Sequence, residues 1–333
     1  MVLIIAEAGV NHNGSIKVAK ELVDAAKSCN ADIIKFQFFK ADDLVVPNTE
    51  KANYQKKQDK SSHKQIDMLR KLELSYEEQK ELKIYCDRKN IEFLTSGFDL
   101  NSLNAIRKLN LRRYKIPSGE ITNLPYLRFV GKQEKPIILS TGMSNIDEIR
   151  AALKALNDSG ARLDNISVLH CTSEYPAPLN EINLRAMCTI KELFKVNVGY
   201  SDHTLGIEVS LAAVALGAKV IEKHLTLDRN LEGPDHMASL IPDEFKKLVK
   251  GVRNISIALG SNEKKIGKSE FRNLSLVRKS IVARKEIKKG EVFSVENLCS
   301  KRPGTGISPM LWDEIIGTCA KRNFKVNEFI TLN

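Results

Sequence analysis

Short apolar runs alternate with amphipathic stretches over residues 1–245. Each run is rich in β-branched residues and ends in a polar or glycine-bearing turn, after which apolar residues recur at helical spacing. The pattern predicts strands at Leu3–Ala6, Ile33–Gln37, Ile91–Thr95, Tyr114–Ile116, Ile137–Ser140, Ile166–His170, Asn197–Ser201 and Val220–His224. It predicts helices at about Ile16–Cys29, Ser75–Lys89, Asn101–Leu109, Pro125–Gly131, Ile146–Ser159, Asn183–Phe194, Gly206–Leu216 and Pro242–Leu259.

Several predicted helices carry their own start signals. Ser75 with Glu78 matches a capping box, and Asn145 precedes two acidic residues in a first turn. Repeated strand–helix units in this number are what a (β/α)₈ TIM barrel requires. The rival architecture, a doubly wound open sheet, usually has fewer strands and a glycine-rich phosphate fingerprint, which this sequence lacks. We therefore predict an α/β protein built on a (β/α)₈ TIM barrel.

One long interruption, Lys40–Leu74, separates the second predicted strand from its helix. It is polar and rich in Lys and Gln, with an amphipathic run at Ile66–Leu74. In a barrel this connection lies over the face where the strands end. The insertion is therefore either a lid or substrate wall, or an ordinary surface insertion.

The pattern changes after residue 260. A polar segment, 261–278, is predicted to be a linker. Short apolar runs with turns at Lys289–Gly290 and Pro303–Gly304 then predict a small β-rich module at 279–333. A module of this size has a limited core of its own, so docking on a partner surface would help to stabilise it. We expect a catalytic barrel at 1–260, a linker and this module.

The composition argues against several classes of protein. The chain has 333 residues, is 42% hydrophobic and has no long uninterrupted apolar stretch, so we predict no membrane span. The first predicted strand begins at Leu3, which leaves no room for a signal peptide. Six cysteines lie without paired spacing. They favour reduced thiols in a cytoplasmic protein over a disulfide framework or a zinc knuckle.

The net charge of +11 is unevenly distributed. Residues 271–333 hold 12 Lys and Arg against 6 Asp and Glu. Such a bias is typical either of nucleic-acid binding or of attraction for an anionic small substrate. Aromatic residues make up only 6% of the chain, and no basic helix carries interleaved stacking residues. We therefore expect no nucleic-acid partner.

Two histidines end neighbouring predicted strands. His203 follows Asn197–Ser201 and His224 ends Val220–His224, with one helix between the two strands. A strand–helix–strand unit makes its strands parallel neighbours, so both imidazoles are expected at the same edge of the sheet. Each histidine alone could be a polar strand cap. Together, beside acidic residues, they predict a site for a divalent cation with open positions for substrate.

Polar residues follow nearly every predicted strand, where a TIM barrel has its active site. The set comprises Glu7, Asn11, His12, Asn13, Lys35, Gln37, Thr95, Ser96, Lys115, Ser118, Glu120, Ser140, Thr141, His170, Thr172, Ser173, Tyr175, Ser201, Asp202, His203, Glu222 and His224. Two lysines among several hydroxyls suit a phosphate that carries a carboxylate. Lys35 could instead form the Schiff base of an aldolase. A metal-binding pair is superfluous to that mechanism, so we favour the anion site.

Motifs in order along the chain carry a family resemblance. They are Ile5–Gly14, Ile34–Gln37, Lys115–Glu120, Leu139–Met143, Tyr200–His203, Glu222–His224 and Gly233–Asp235. Together they resemble the bacterial sialic acid (nonulosonic acid) synthases of the N-acetylneuraminate synthase type. Residues 1–260 are similar to the synthase barrel. Residues 279–333 are similar to its C-terminal antifreeze-like (SAF) domain, including the turn at Lys301–Gly304.

The resemblance implies binding roles for the matched residues. The positions that match phosphoenolpyruvate-binding residues are Lys35, Thr95, Lys115, Ser118, Ser140 and Ser201. We add Gln37, two residues after Lys35, to the substrate-binding set. His203 and His224 match the ligands of a divalent metal, expected to be Mn²⁺, with Mg²⁺ or Co²⁺ as alternatives.

Other matched positions concern the sugar and the assembly. Those that face the sugar are Glu120, Tyr175 and Asp235, and Glu7 matches a carboxylate near the metal end of the site. Arg302 matches an arginine that the SAF domain of a partner subunit places on the N-acyl group in a domain-swapped homodimer. Without the resemblance Arg302 would be a solvated turn residue. We expect His236 to be a loop residue, and His12 to be either catalytic or a turn former.

The implied reaction condenses phosphoenolpyruvate with open-chain N-acetylmannosamine and water, giving a nine-carbon 2-keto acid and phosphate. A carboxylate would activate the water, with Glu120 as the first candidate and Glu7 as the second. The alternative is a legionaminate synthase using 2,4-diacetamido-2,4,6-trideoxymannose, because the sugar contacts within Lys40–Leu74 do not align. A condensing enzyme acting on a phosphorylated aldose and a carbohydrate-binding protein acting through the SAF domain are remoter alternatives.

Overall fold

The computed structural model describes residues 1–58 and 64–332. The chain divides into two compact units, Met1–Gly260 and Ser261–Asn333. Residues 59–63 of the predicted insertion, and residue 333 at the end of the predicted SAF domain, lie outside the described residues.

Parallel strands form the sheet of the first unit. They are β1 (Leu3–Gly9), β2 (Ile33–Phe38), β3 (Glu92–Gly97), β4 (Tyr114–Ile116), β5 (Ile137–Ser140), β6 (Ile166–Cys171), β7 (Asn197–Asp202) and β8 (Val220–His224). The eight strands follow the order β3-β2-β1-β8-β7-β6-β5-β4, and β3 and β4 at its two ends pack against each other. This arrangement confirms the predicted (β/α)₈ barrel. The strands are almost wholly buried, as expected when helices cover a parallel sheet.

Helices alternate with the strands along the chain, and most of them cover the outside of the barrel. They are α1 (Ile16–Ser28), α2 (Ala41–Leu44), α3 (Asn53–Gln58), α4 (Gln65–Leu72), α5 (Tyr76–Lys89), α6 (Leu100–Lys108), α7 (Leu124–Gly131), α8 (Ile146–Asp158), α9 (Ala186–Phe194), α10 (Glu208–Ala215) and α11 (Pro242–Ala258). α1 shows why they form, because it buries Ala19, Leu22, Val23 and Ala26 at helical spacing. Among the described residues, no helix has the length and apolarity needed to cross a membrane.

Local sequence explains the caps of the helices. Two helices begin two or more residues later than predicted. Ser75 and Glu78 form the predicted capping box of α5, and Asn145 accepts hydrogen bonds from two backbone N–H groups at the start of α8. α9 begins at Ala186 rather than Asn183, because Asn183 has a φ of 45°. α10 begins at Glu208 rather than Gly206, where φ is 77°. A positive φ is incompatible with a right-handed helix.

The described part of the insertion between β2 and α5 carries three short helices, α2, α3 and α4. The predicted amphipathic run is α4, whose buried residues are Ile66, Met68, Leu69 and Leu72. These side chains pack with Val10, Phe39 and Ala41 in a small core of their own. We refer to these seven residues as the α4 cluster.

The second unit contains one short antiparallel pair, β9 (Ser280–Ala283) and β10 (Leu298–Lys301). Isolated bridges such as Ile287 to Phe324 extend this pairing. Its helices are α12 (Lys268–Phe271), α13 (Leu274–Val277) and α14 (Trp312–Ile315). α12 and α13 lie in the segment predicted to be a linker. The unit has its own apolar core, made of Ile281, Ala283, Ile287, Phe293, Leu298, Ile315, Ala320, Phe324 and Ile330.

Candidate active site

A cavity of about 450 Å³ opens where the barrel strands end. The structure brings together in its lining most of the residues predicted for the site. They are Glu7, Lys35, Gln37, Lys115, Ser118, Glu120, Ser140, Tyr175, Ser201, His203, His224 and Asp235. Because these side chains come from separate strands and loops, only the closed barrel places them side by side.

Two lysines and two glutamates form a buried cluster at the floor of the cavity. Lys35 Nζ lies 2.8 Å from Glu7 Oε2 and 3.8 Å from Glu222 Oε2. Lys115 Nζ lies 3.3 Å from Glu222 Oε1. Strand pairing explains the first of these contacts, because Glu7 on β1 is the ladder partner of Lys35 on β2. Each active-site lysine is therefore paired with a carboxylate.

Burial and pairing act against each other in this cluster. Burial opposes the charged form of Lys35, but Glu222 and Glu7 outweigh it and raise the pKa of Lys35 above its ordinary value. Burial lowers the pKa of Lys115, against the attraction of Glu222. Burial also raises the pKa of Glu7 despite its contact with Lys35. Burial would raise the pKa of Glu222 as well, but Lys115 and Lys35 outweigh it and lower that pKa.

Hydroxyl groups surround Lys115. Its Nζ donates to Ser140 Oγ at 2.8 Å, and Ser118 Oγ accepts from the Gly142 N–H at 2.9 Å. A Cβ at Gly142 would lie 2.2 Å from Ser173 Oγ, so only glycine fits there. Ammonium and hydroxyl groups converging in this way can bind an anion with a phosphate or a carboxylate.

Thr95 does not line the cavity as predicted. In the β2–β3 ladder Thr95 is the partner of Phe36, whereas Ser96 is the partner of Gln37. Side chains alternate along a strand, so Thr95 points to the face opposite to Lys35 and Gln37. Ser96 is on the Gln37 face and is fully buried. Ser96 does not line the cavity either.

The two histidines lie together on the other side of the cavity. Their ring centroids are 5.5 Å apart, and Tyr175 stacks on His203 at 4.1 Å. His203 Nδ1 lies 2.6 Å from the Thr172 carbonyl oxygen. A carbonyl only accepts, so Nδ1 carries the proton and Nε2 keeps its lone pair.

Both imidazoles are in the form that binds metal. Burial lowers the pKa of His203 to about 4, and it lowers the pKa of His224 well below its ordinary value. His224 Nδ1 has no hydrogen-bond partner among the described residues; Asp235 Oδ2 is 3.7 Å away. Over the described ranges no three His, Cys, Asp or Glu side chains converge into a ready cation site. The two neutral imidazoles nevertheless offer nitrogen donors of the type that divalent cations accept in proteins.

Two further carboxyl groups line the cavity. Glu120 lies in the turn after β4, and its Oε2 accepts from Asn123 Nδ2 at 2.6 Å. Burial raises the pKa of Glu120, with Asn123 opposing the shift. Burial and the nearby Glu7 raise the pKa of Asp235 to about 7. Raised values are typical of carboxyl groups that exchange protons near neutral pH.

One part of the cavity lining is mainly apolar. The α4 cluster contributes Val10, Phe39, Met68, Leu69 and Leu72 to the cavity lining. The described part of the insertion therefore forms part of the wall of the cavity. The cavity has a polar, charged floor and an apolar side, so it suits a ligand with the same division.

Three residues singled out in the sequence lie away from this chemistry. His236 is a buried loop residue as expected, with Thr226 Oγ1 at 2.7 Å and Asn13 Oδ1 at 3.3 Å. His12 is a turn former, because its Nδ1 accepts from the Gly14 N–H at 3.0 Å. Arg302 belongs to the second unit and is exposed.

Glu222 is the site residue that the sequence analysis left without a role. It stands two residues before His224 on β8 and contacts both active-site lysines. Ser201 Oγ also donates to its Oε1 at 3.1 Å. The available signal was strand alternation, which puts residues 222 and 224 on the same face.

Comparison with known proteins identifies the family to which the chain belongs. Residues 22–264 match the NeuB family and residues 278–333 match the SAF domain. The chain is 54% identical to N,N′-diacetyllegionaminic acid synthase of Campylobacter jejuni, with 98% of each sequence covered. It is 48% identical to the enzyme of the same name from Legionella pneumophila, with 96% of this chain and 90% of that one covered.

A solved structure agrees with these matches. N-acetylneuraminic acid synthetase from Leptospira borgpetersenii superposes with a TM-score of 0.73 at 33% identity, over 82% of this chain and 90% of that one. The predicted resemblance to synthases with a C-terminal SAF domain, and the prediction of an enzyme, are thereby confirmed. The chain belongs to the NeuB family and ends in a SAF domain.

Proposed function

We propose that this protein is a nonulosonic acid synthase that condenses phosphoenolpyruvate with open-chain 2,4-diacetamido-2,4,6-trideoxymannose. The products are N,N′-diacetyllegionaminic acid and phosphate. The observation that carries the proposal is one cavity that is lined both by Lys35 and Lys115 and by His203 and His224. It unites groups for an anionic substrate with groups for a cation.

Phosphoenolpyruvate fits the lysine side of the cavity. Lys115 and the hydroxyl groups of Ser140 and Ser118 offer donors to its phosphate and carboxylate. Lys35 is kept charged by Glu7 and Glu222 although it is buried. An ammonium that is already charged and oriented stabilises the leaving phosphate without reorganisation.

His203 and His224 would hold a divalent cation, with Mn²⁺ as our first candidate, and when bound it would supply Lewis-acid polarisation of the aldehyde oxygen. The chain itself fixes the ligands. The Thr172 carbonyl orients the His203 ring, and Tyr175 packs against both imidazoles. Contacts of this kind with a metal-binding side chain fix its orientation, and so the direction in which its lone pair points.

The chemical steps then need a base for water. The enol carbon of phosphoenolpyruvate bonds to the aldehyde carbon, and the aldehyde oxygen ends as a hydroxyl. Water adds to the phosphate-bearing carbon and gives one proton to a carboxylate, from which it returns to the aldehyde oxygen. The bond from that carbon to the phosphate oxygen then breaks as the new C–OH becomes the keto group, and the second proton of the water leaves with the phosphate. Glu120 suits this role better than Glu7, because Lys35 and Gln37 Nε2 already engage the two oxygens of Glu7.

The apolar wall supports the choice of sugar. A 6-deoxy sugar with two N-acetyl groups carries methyl groups that could pack on the α4 cluster, whereas N-acetylmannosamine carries hydroxyls at the corresponding carbons, which gain nothing from apolar side chains. The identities point the same way, since the two legionaminic acid synthases are more similar to this chain than the Leptospira synthetase is. The alternative kept open in the sequence analysis is therefore favoured over N-acetylneuraminate.

We also propose that the SAF domain supplies Arg302 to the sugar in the cavity of a second copy. The proposal rests on the family resemblance and on the exposed position of this side chain beside Lys301. A guanidinium is suited to the carbonyl oxygen of an N-acyl group.

Phosphate release from phosphoenolpyruvate, measured with each sugar, tests the proposal. We expect kcat/KM for 2,4-diacetamido-2,4,6-trideoxymannose to exceed that for N-acetylmannosamine by at least about tenfold, the discrimination expected from one apolar contact. A preference for N-acetylmannosamine would overturn the choice of sugar. Release with neither sugar would overturn the proposed reaction.

A further inference from the structure

A second ion pair lies directly behind the two histidines, outside the cavity. Asp202 ends β7, and Lys223 is its ladder partner on β8. Lys223 Nζ lies 3.1 Å from Asp202 Oδ2, and both side chains have no exposed surface. Neither residue belongs to the cavity lining. The mechanism proposed above gives this pair no role.

Strand alternation places the pair between two cavity-facing layers. Ser201 and Glu222, one residue earlier on each strand, point into the cavity, and so do His203 and His224, one residue later. Asp202 and Lys223 point the other way, towards the helices. The pair is thus the last cross-strand contact before both histidines.

The remaining bonds of the pair hold the chain that follows His203. Asp202 Oδ1 accepts from the Thr204 N–H at 2.9 Å and from Thr204 Oγ1 at 2.7 Å. Lys223 Nζ donates to the Thr204 carbonyl oxygen. Ser210 Oγ, in α10, donates to Asp202 Oδ2 at 2.6 Å. Lys223, the residue before His224, is therefore tied to the residue after His203.

Stability alone does not explain such a pair. Removing two charges from water is costly, and an apolar pair of similar volume is often as stable or more stable. What charges add is direction, because each bond here has a specific donor and acceptor. Directional bonds matter at this position because His224 Nδ1 has no hydrogen-bond partner among the described residues. The position of the His224 ring therefore depends on where the backbone of β8 ends.

We propose that the buried Asp202–Lys223 bridge is a positioning device that sets the spacing at which His203 and His224 share one cation. The inference rests on the proposed metal role of the two histidines. Neither Asp202 nor Lys223 touches the cation or the substrates, so both are positioning residues. They act through the backbone at Thr204 and at the end of β8.

Direct Mn²⁺ binding to the full-length protein, followed by electron paramagnetic resonance of free Mn²⁺ without substrates, tests the bridge. We expect Lys223→Met to weaken Mn²⁺ binding about ten- to hundredfold, the usual effect of losing a contact behind a ligand. The affinity for phosphoenolpyruvate should change little, because Lys35 and Lys115 are not tied to the bridge.

The double variant Asp202→Asn with Lys223→Met covers the case in which the single variant does not fold. It leaves no unpaired charge, and the amide oxygen of Asn could still accept from the Thr204 N–H. The contacts of Lys223 Nζ with Asp202 and with the Thr204 carbonyl oxygen are lost, and the hydrogen bond between Ser210 Oγ and residue 202 reverses its direction. Arg253→Met is the matched control, because it removes the Arg253 Nη2 contacts with Asp32, both 2.7 Å, next to the start of β2. The control should bind Mn²⁺ like wild type.

Two results would overturn the inference, and they differ. A folded double variant with wild-type Mn²⁺ affinity would show that the bridge does not position the histidines. Absence of Mn²⁺ binding by the wild-type protein would instead remove the proposed metal role, and the inference with it.

Discussion

At the scale of single residues, the candidate site is organised by carboxylates. Glu222 contacts Lys35 and Lys115, and Glu7 contacts Lys35. Without these partners, burial would favour the neutral form of both lysines. The glutamates therefore decide how much positive charge meets an anionic substrate.

The residue types of the site could be predicted from the sequence, but their directions could be predicted only in part. Strand-end positions identified Lys35, Lys115 and both histidines. Thr95 was placed in the site although the β2–β3 ladder puts it on the other face. An error of one residue reverses the face of a strand, and strand boundaries predicted from sequence are uncertain by more than that.

The role of Glu120 gives the first prediction. Glu120→Gln keeps the size of the side chain and an oxygen that can accept from Asn123, but it removes the base for water. We expect kcat to fall about 10²- to 10⁴-fold, with the KM for phosphoenolpyruvate nearly unchanged. Steady-state phosphate release measures both constants. A Gln variant with at least half of the wild-type kcat would move the base to another residue.

The buried His12 gives a prediction on pH and stability. Burial lowers the pKa of His12 in the folded protein to about 4 from an ordinary 6.5. Between these values the unfolded chain binds the proton and the folded one does not, so stability is lost as the pH falls from 6.5 to 4. The loss from this residue amounts to about 3 kcal/mol.

His12→Asn tests whether His12 causes this loss of stability, because Asn keeps an acceptor for the Gly14 N–H and does not titrate. Urea unfolding at several values between pH 7 and pH 4.5 should show a smaller loss of unfolding free energy in the variant than in the wild type. Equal losses would assign the pH dependence to other groups.

At the scale of elements, the barrel strands were predictable and the insertion was not. Strand positions follow from dense apolar runs, and β4, β5 and β8 have the predicted bounds. α9 and α10 begin later than predicted because Asn183 and Gly206 adopt a positive φ that periodicity does not reveal. α4 could be predicted from the sequence as an amphipathic run. The surface that it packs against, at the side of the cavity, could not be predicted because it depends on tertiary packing.

α4 offers a matched pair of substitutions. Leu72 and Ile66 are both buried in the α4 cluster, but among the described residues Leu72 lines the cavity and Ile66 does not. Truncating either to Ala should cost about 2–5 kcal/mol of unfolding free energy. Only Leu72→Ala should lower kcat/KM for the diacetamido sugar relative to N-acetylmannosamine, by about tenfold. An equal loss of preference in both variants would mean that the wall acts through stability.

At the scale of the whole molecule, the chain consists of two units, for which we propose different roles. The first unit contains the complete cavity described here. The second has its own core and the exposed Arg302. If Arg302 contacts only the sugar, its loss should leave the phosphoenolpyruvate side of the reaction intact.

Arg302→Ala tests this division of labour. We expect the KM for the sugar to rise far more than the KM for phosphoenolpyruvate, because the lost contact concerns one substrate. Lys301→Ala is the matched control from the same turn, and it should leave both constants near those of wild type. Sedimentation velocity at two concentrations completes the test. An active monomer would contradict the exchange of Arg302 between copies.

The central claim is a metal-assisted condensation in the barrel cavity. The most direct test is phosphate release from phosphoenolpyruvate by metal-stripped protein, with and without added Mn²⁺ and with and without 2,4-diacetamido-2,4,6-trideoxymannose. The account predicts release only when both are present, with one phosphate formed for each nine-carbon acid. Full-rate release without Mn²⁺, or without the sugar, would contradict it.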